Sequence, residues 1–262
     1  MRHPSRAARV AAAVLIAAAA AGCGTSPGGG SGTEVPAPPA DPRVLVLRVE
    51  ERQSNPYPWE RVALPRFALY GGGRVVVPGR GDGALFAARE YRLPKARYRA
   101  LVAAAYDAGL DRSALHDDRS QTDADATEVA LRTPDGLRVT KVVAPDGGGD
   151  GARARVLDFL AGLPQPPRDT APYRPAALAV LATGGVDAGT RTPRPWPLRP
   201  PLAEGVRTRD GQCRVLRGPA AAEAGRLAAG ARRDTRWSGG ELTYAVAFRP
   251  LYPEEKRCAD LD

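Results

Sequence analysis

The apolar run Val10 to Ala21, closed by Gly22-Cys23, decides how much of this chain has to fold at all. Arg2, Arg6 and Arg9 precede it, so a positive start, a stretch of small apolar residues and a small-residue exit follow one another in the order of a cleaved targeting peptide. The run is too short to cross a bilayer, which needs about 20 apolar residues. Residues 1–22 are therefore expected to be removed, and the rest to work outside the cytoplasm, where disulfides persist.

Ala20-Ala21-Gly22-Cys23 resembles the lipobox of bacterial lipoproteins, with alanine where leucine is usual. The resemblance implies that the Cys23 thiol is acylated and that Cys23 becomes the new N-terminus. An ordinary signal peptide would instead leave Cys23 as a free thiol or remove it. Cysteine parity favours lipidation: of 3 cysteines, spending Cys23 leaves the even pair Cys213 and Cys258, expected as a disulfide in an exported protein. Closing that loop would stabilise the fold by roughly 4 kcal/mol in the chain-entropy picture. One acyl chain binds membranes only marginally, whereas two or three hold firmly. The expected partner is thus the membrane itself, through an N-terminal lipid anchor (palmitate among its acyl chains) on the extracytoplasmic face of the cell membrane.

Composition limits the partners further. Loss of residues 1–22 removes three arginines and no acid, leaving +6 of the formal +9. The 38 basic residues include only three lysines, Lys95, Lys141 and Lys256, and alanine, glycine and proline abound, the codon bias of a GC-rich genome. Arginine content is then no argument for nucleic acid, and neither an arginine-rich helix nor an aromatic RNA-reading motif is present. An envelope protein or an anionic wall polymer fits the modest positive charge, with attraction that is short-ranged at physiological salt. The 26 prolines argue for many loops and against a long helical bundle.

The chain divides by composition. After Cys23, residues 24–42 pass from Gly/Ser-rich to Pro-rich without apolar periodicity, which predicts a disordered tether over 23–42, with a reach of roughly 25 Å as a coil. Residues 43–163 read as a first α+β domain. Arg43 to Glu50 is a strand, and Phe67-Ala68-Leu69-Tyr70 and Arg74-Val75-Val76-Val77 form a hairpin across three glycines. Pro94 opens a helix to Ala108 with Gly109 at its end, and Glu128 to Thr133 pairs with Leu137 to Val143 across Pro134-Asp135-Gly136. Ala152 to Leu160 is a second helix. The Pro-rich stretch 164–172 reads as a linker. Residues 173–262 read as a second α+β domain: strands over Ala177 to Thr183 and Gln212 to Arg217, a helix over Pro219 to Ala231, and a strand in which Leu242, Tyr244, Val246 and Phe248 alternate with Thr243, Ala245, Ala247 and Arg249. Antiparallel hairpins packed with short helices, without βαβ alternation, make the class α+β in two small subdomains.

Candidate chemistry is sparse. The mature chain has one histidine, His116, so a hydrolase acting on wall or peptide substrates would have to run through it; no serine stands in Ser-x-x-Lys, the one Gly-x-Ser-x-Gly, Gly24 to Gly28, falls in the Gly/Ser-rich stretch, and a His-Glu-x-x-His zinc site is impossible. Asp123 and Asp125 could offer oxygen ligands to Ca²⁺ in a calcium-stabilised interaction module. Their loop lacks the glycine and terminal glutamate of an EF-hand, and a solvated acidic turn accounts for the same residues. Trp59 and Trp196 each sit in a proline-stiffened loop where a ring could stack on sugar or peptide, or cap the edge of a core. Gly149-Asp150-Gly151-Ala152-Arg153-Ala154 matches a dinucleotide fingerprint but follows a tight hairpin, and Arg80-Gly81-Asp82 is a common tripeptide. No cofactor is expected, and the reading is a non-catalytic binding or scaffolding module.

Three stretches, Leu69-Tyr70-Gly71-Gly72-Gly73-Arg74, Thr122-Asp123-Ala124-Asp125-Ala126-Thr127, and Trp237-Ser238-Gly239-Gly240 through Arg249-Pro250-Leu251-Tyr252-Pro253-Glu254 to Cys258, resemble a group of uncharacterised actinobacterial envelope lipoproteins. The likeness spans most of the mature chain. It implies an envelope address and carries no established activity.

Overall fold

A computed structural model describes residues 35–81, 83–117, 122–147, 149–187 and 192–261. Fourteen strands and four α-helices are assigned in it, in two mixed sheets that give an α+β fold. The first part of the chain contributes β1 (Leu45–Arg52), α1 (Pro58–Arg61), β2 (Phe67–Tyr70), β3 (Arg74–Pro78), β4 (Ala88–Arg92), α2 (Lys95–Asp107), β5 (Ala114–His116), β6 (Ala126–Thr133), β7 (Gly136–Val143), α3 (Gly151–Ala161) and β8 (Ala171–Pro172). The remainder contributes β9 (Ala177–Gly184), β10 (Arg194–Pro195), β11 (Val206–Thr208), β12 (Gly211–Arg217), α4 (Gly218–Ala229), β13 (Arg236–Gly239) and β14 (Leu242–Pro250).

The first sheet has the order β5-β7-β6-β1-β2-β3-β4-β8, antiparallel except at β5–β7. Alternation along its strands sends Val49, Phe67, Leu69, Val75 and Val77 to one face. There α2 lays down Tyr98, Leu101, Val102 and Ala105, and α3 adds Val156, Phe159 and Leu160, both at the helical spacing of a core-facing stripe. A register shift between Leu45 and Leu47 turns Leu45 to the opposite face. That face is buried as well: Leu45, Ala68, Tyr70 and Val76 pack against Tyr173 and Tyr252 from the C-terminal part. Burial on both sides explains why Phe67-Ala68-Leu69-Tyr70 is apolar without alternation.

Residues 35–41, read from the sequence as free tether, are seated on this sheet. Pro39 O accepts from Gly72 N (3.0 Å) and from the Tyr98 hydroxyl (2.8 Å), and Val35 packs against the first core. Gly71 makes the approach possible, since a Cβ there would lie 2.1 Å from Asp41 O. The proline-rich stretch 164–172 ends in β8, which pairs with β4, and the Arg89 guanidinium bonds Thr170.

The second sheet has the order β10-β13-β14-β9-β12-β11, antiparallel except at β10–β13. Its inner face carries Leu178, Val180, Ala182, Tyr244, Val246 and Phe248 against Ala224 and Ala228 of α4, Trp237 and Leu202. Its outer face is covered near one end by Val62, Leu251, Leu261 and the Cys213–Cys258 disulfide, whose Cα atoms are 5.9 Å apart. The expected cysteine pairing is thus present and fastens the C-terminal tail to β12. The β3–β4 connection of the first sheet pairs with β14 of the second, because Phe86 N donates to Phe248 O (2.8 Å) and Phe248 N to Ala84 O (3.1 Å). Val35–Asp262 form one compact unit.

Candidate functional site

The described residues line a groove of about 740 Å³ at one end of the first sheet. Its floor is apolar, made by Phe67 and Val77 from the sheet and Leu157, Leu160 and Leu163 from α3 and its exit. The lining continues with Glu60 of α1 and Ala63, Leu64 and Arg66 after it, and with Ala161 and Pro164-Gln165-Pro166. Glu51 and Arg52 at the end of β1 pair in register with Thr127 and Ala126 at the start of β6, which brings Asp125 to the same rim. The polar groups here are fixed by each other: Arg66 lies 3.5 Å from Glu51, Arg52 bridges Glu50 (2.6 Å) and Glu128 (3.5 Å), and the Glu60 carboxylate accepts from Tyr57 N (2.8 Å). A concave cavity of this volume, with an apolar floor and polar groups positioned around it in about equal share, can orient a ligand that has both kinds of surface.

Asp125 contributes to the groove by bonding the backbone: its Oδ1 accepts from Ser54 N (3.0 Å) and ties the β1–α1 loop to β6. Asp123 sits at φ 55°, a left-handed turn that aspartate tolerates. Among the described residues no group of three or more His, Cys, Asp or Glu side chains could hold a metal ion. Asp125 thus fastens a loop and Asp123 occupies a turn, while loop residues 118–121 lie outside the described set.

The two candidate tryptophans separate. Trp196 lies edge-on to Trp237 (5.4 Å between centroids) and stacks near Phe248 (6.1 Å), so it caps the second core. Trp59 is 38% exposed and stacks parallel on Tyr57, itself 62% exposed, at 4.8 Å and 4°. It lines a smaller cleft on the outer face of the second sheet.

His116 is the last residue of β5, at the edge of the first sheet and outside the groove lining. The glycine motif at 149–154 follows β7 of the antiparallel β6–β7 hairpin. Its own Arg153 fills the loop, donating to Val143 O (2.9 Å) and Ala144 O (2.6 Å), and a Cβ on Gly149 would sit 2.6 Å from the Arg153 side chain. That glycine makes room for arginine, and the loop is a structural clamp. Asp82 of the Arg-Gly-Asp tripeptide lies outside the described residues.

The densest buried polar cluster was not singled out from the sequence. Arg249 is 2% exposed and pairs in a fork with Glu255, Nη1 to Oε2 at 2.7 Å and Nη2 to Oε1 at 2.8 Å, while its Nε donates to Val62 O at 2.8 Å. Glu255 Oε2 also accepts from Tyr252 N (2.7 Å). Next to it, Glu254 accepts from the Tyr70 hydroxyl (2.7 Å). Burial holds the Glu254 carboxyl above the usual carboxylate range, opposed by that hydrogen bond, and burial together with the Glu254 charge pushes the Tyr70 hydroxyl far above its own. Tyr173 donates to Leu251 O (2.8 Å) and packs edge-on to Tyr252 (5.6 Å). Two of the stretches that carry the lipoprotein resemblance, Leu69 to Arg74 and Arg249 to Glu254, thus meet at Tyr70–Glu254, 184 residues apart in sequence. The one signal available in the sequence was a charged residue ending an apolar strand, with a carboxylate six residues later. In comparisons with known proteins, no family model matches the chain, and neither does a curated protein or a solved structure.

Proposed function

We propose that this protein is an extracytoplasmic binding module, anchored to the membrane through acylated Cys23, whose ligand lies in the groove between β1, the α1 segment and α3. The groove carries the reading: its apolar floor and fixed polar rim offer burial and orientation to a ligand. The sequence supports the address through the targeting run, Cys23 and the cysteine parity. The Arg249–Glu255 fork serves to lock the fold rather than to react, because its guanidinium and carboxylate already satisfy each other.

The anchor is tested by the intact mass of the mature N-terminus from a membrane fraction of the native host. A mature chain starting at diacylglyceryl-modified Cys23, and a soluble product from Cys23→Ala, are expected. An unacylated start at another residue removes the anchor.

A further inference from the structure

The smaller cleft is built differently from the groove. Its floor is the outer face of the second sheet, where Leu181 and Thr183 of β9 stand opposite Ala247 and Ala245 of β14. The two alanines leave a recess beside the larger side chains. One wall is Pro58 and Trp59 of α1; the other is the β11–β12 turn with Thr208 and Asp210. Arg61 Nε lies 3.0 Å from Asp210 Oδ2, so an ion pair ties the two walls together. Arg233 reaches the rim with its guanidinium 5.5 Å from the Phe86 ring centre, which fixes its plane.

We propose that this cleft is a saccharide-binding subsite with Trp59 as its stacking platform. Tyr57 covers one face of the Trp59 indole, and the Glu60 carboxylate holds the turn by accepting Tyr57 N, so the ring is presented in a fixed position on the cleft it lines. The aliphatic C–H face of a pyranose matches an indole face, and its hydroxyls, each both donor and acceptor, match a mixed set of groups. Here Thr183 and Thr208 offer hydroxyls, Asp210 accepts and Arg233 donates. A peptide strand is a poorer match. It would need free backbone groups to pair with, but β9 lies between β12 and β14, and β14 between β13 and β9. The enclosed part of the cleft is only about 50 Å³, so the sugar is held from one side. Affinity for a single ring is accordingly low, roughly millimolar. The subsite shares α1 with the groove but none of its lining residues, and stands or falls separately from it.

Tryptophan fluorescence reads this site selectively. Trp59 is 38% exposed, whereas Trp237 is 2% exposed and Trp196 is packed on Trp237 and Phe248. Detergent-purified mature protein is titrated with oligosaccharides of neutral hexoses, of N-acetylhexosamines and of pentoses, and with a proline-rich peptide. The expected result is a saturable emission shift with at least one sugar and none with the peptide. Saturation-transfer NMR on that sugar should then show binding lost in Trp59→Ala and weakened several-fold in the shape-conserving Thr183→Val, with melting temperatures close to that of the parent. No shift with any sugar overturns the proposal. So does sugar binding that survives Trp59→Ala, or a shift produced by the peptide alone.

Discussion

Arg249 and Glu255 are buried where neither charge would be tolerated without the other. Removing one partner strands a charge in a low-dielectric site, so Glu255→Ala is expected to cost about 3–5 kcal/mol. Replacing both by apolar residues of similar volume, Arg249→Met with Glu255→Leu, should cost far less than the sum of these two changes made singly, a coupling that urea denaturation of the parent, the two single variants and the double variant measures. Glu254 makes the opposite kind of contribution. Its folded-state carboxyl binds its proton more tightly than the ordinary value of 4.5, because burial outweighs the Tyr70 hydrogen bond and Arg48 at 3.8 Å, with Glu255 adding repulsion. A raised pKa means that the folded state holds the proton better than the unfolded one. The stabilisation is therefore complete below 4.5 and is lost as pH rises through the raised value. Glu254→Gln keeps an acceptor for Tyr70 and removes the titration. Its melting temperature should gain on the parent's as pH rises from 4 to 7, roughly the carboxylate range, and parallel pH profiles would contradict this. Periodicity alone placed Arg249 with Thr243, Ala245 and Ala247 on the less buried face of their strand. It could not show that this face is covered, because Val62, the covering residue that accepts from Arg249, lies 187 residues away.

Elements with local signatures were legible. The β6–β7 hairpin turns where Pro134-Asp135-Gly136 predicts, with Thr133 opposite Gly136, and α2 stops at Ala108 before Gly109 at φ 83°. Strands such as β5, β8, β10 and β11, two or three residues long, were not: they have no period to detect and exist only because a neighbouring strand offers a ladder. The seating of residues 35–41 was missed for the same reason, since it depends on a carbonyl of Pro39 meeting Gly72 and Tyr98 rather than on apolar pattern. The Cys213–Cys258 bridge belongs to this scale, because it pins the last turn of chain, Cys258–Asp260, over the outer face of the second sheet. Cys213→Ser with Cys258→Ser should lose about 2–4 kcal/mol in urea denaturation. The tail after Pro250 should become the first site of limited proteolysis. Unchanged stability would mean that Leu251, Leu261 and the Arg249–Glu255 fork hold the tail without the bridge.

At the scale of the molecule, the two sheets are fastened by Tyr70 to Glu254, by Tyr173 inserted beside Tyr252, and by residues 84–86 paired along β14. These contacts place α1 between the groove on the first sheet and the Trp59 cleft on the second, with Glu60 and Ala63 facing the one and Pro58 and Trp59 the other. The groove itself was out of reach of the sequence, because its lining comes from six separate stretches between Glu51 and Pro166. Of the candidate ligand and catalytic residues Asp123, Asp125, Trp59, Trp196 and His116, Asp125 lies on it, for a chemistry other than metal binding. Ala63 and Ala161 both line the groove and are exposed, so substitution there alters the groove without opening the core. The most direct test of a ligand in the groove places a photoreactive side chain at Ala161 in the full chain expressed in intact cells. Irradiation should give one discrete adduct that disappears when Ala63→Arg fills another part of the lining, while the melting temperature stays the same. A smear of adducts unaffected by Ala63→Arg, or no adduct, would contradict the groove as the binding site.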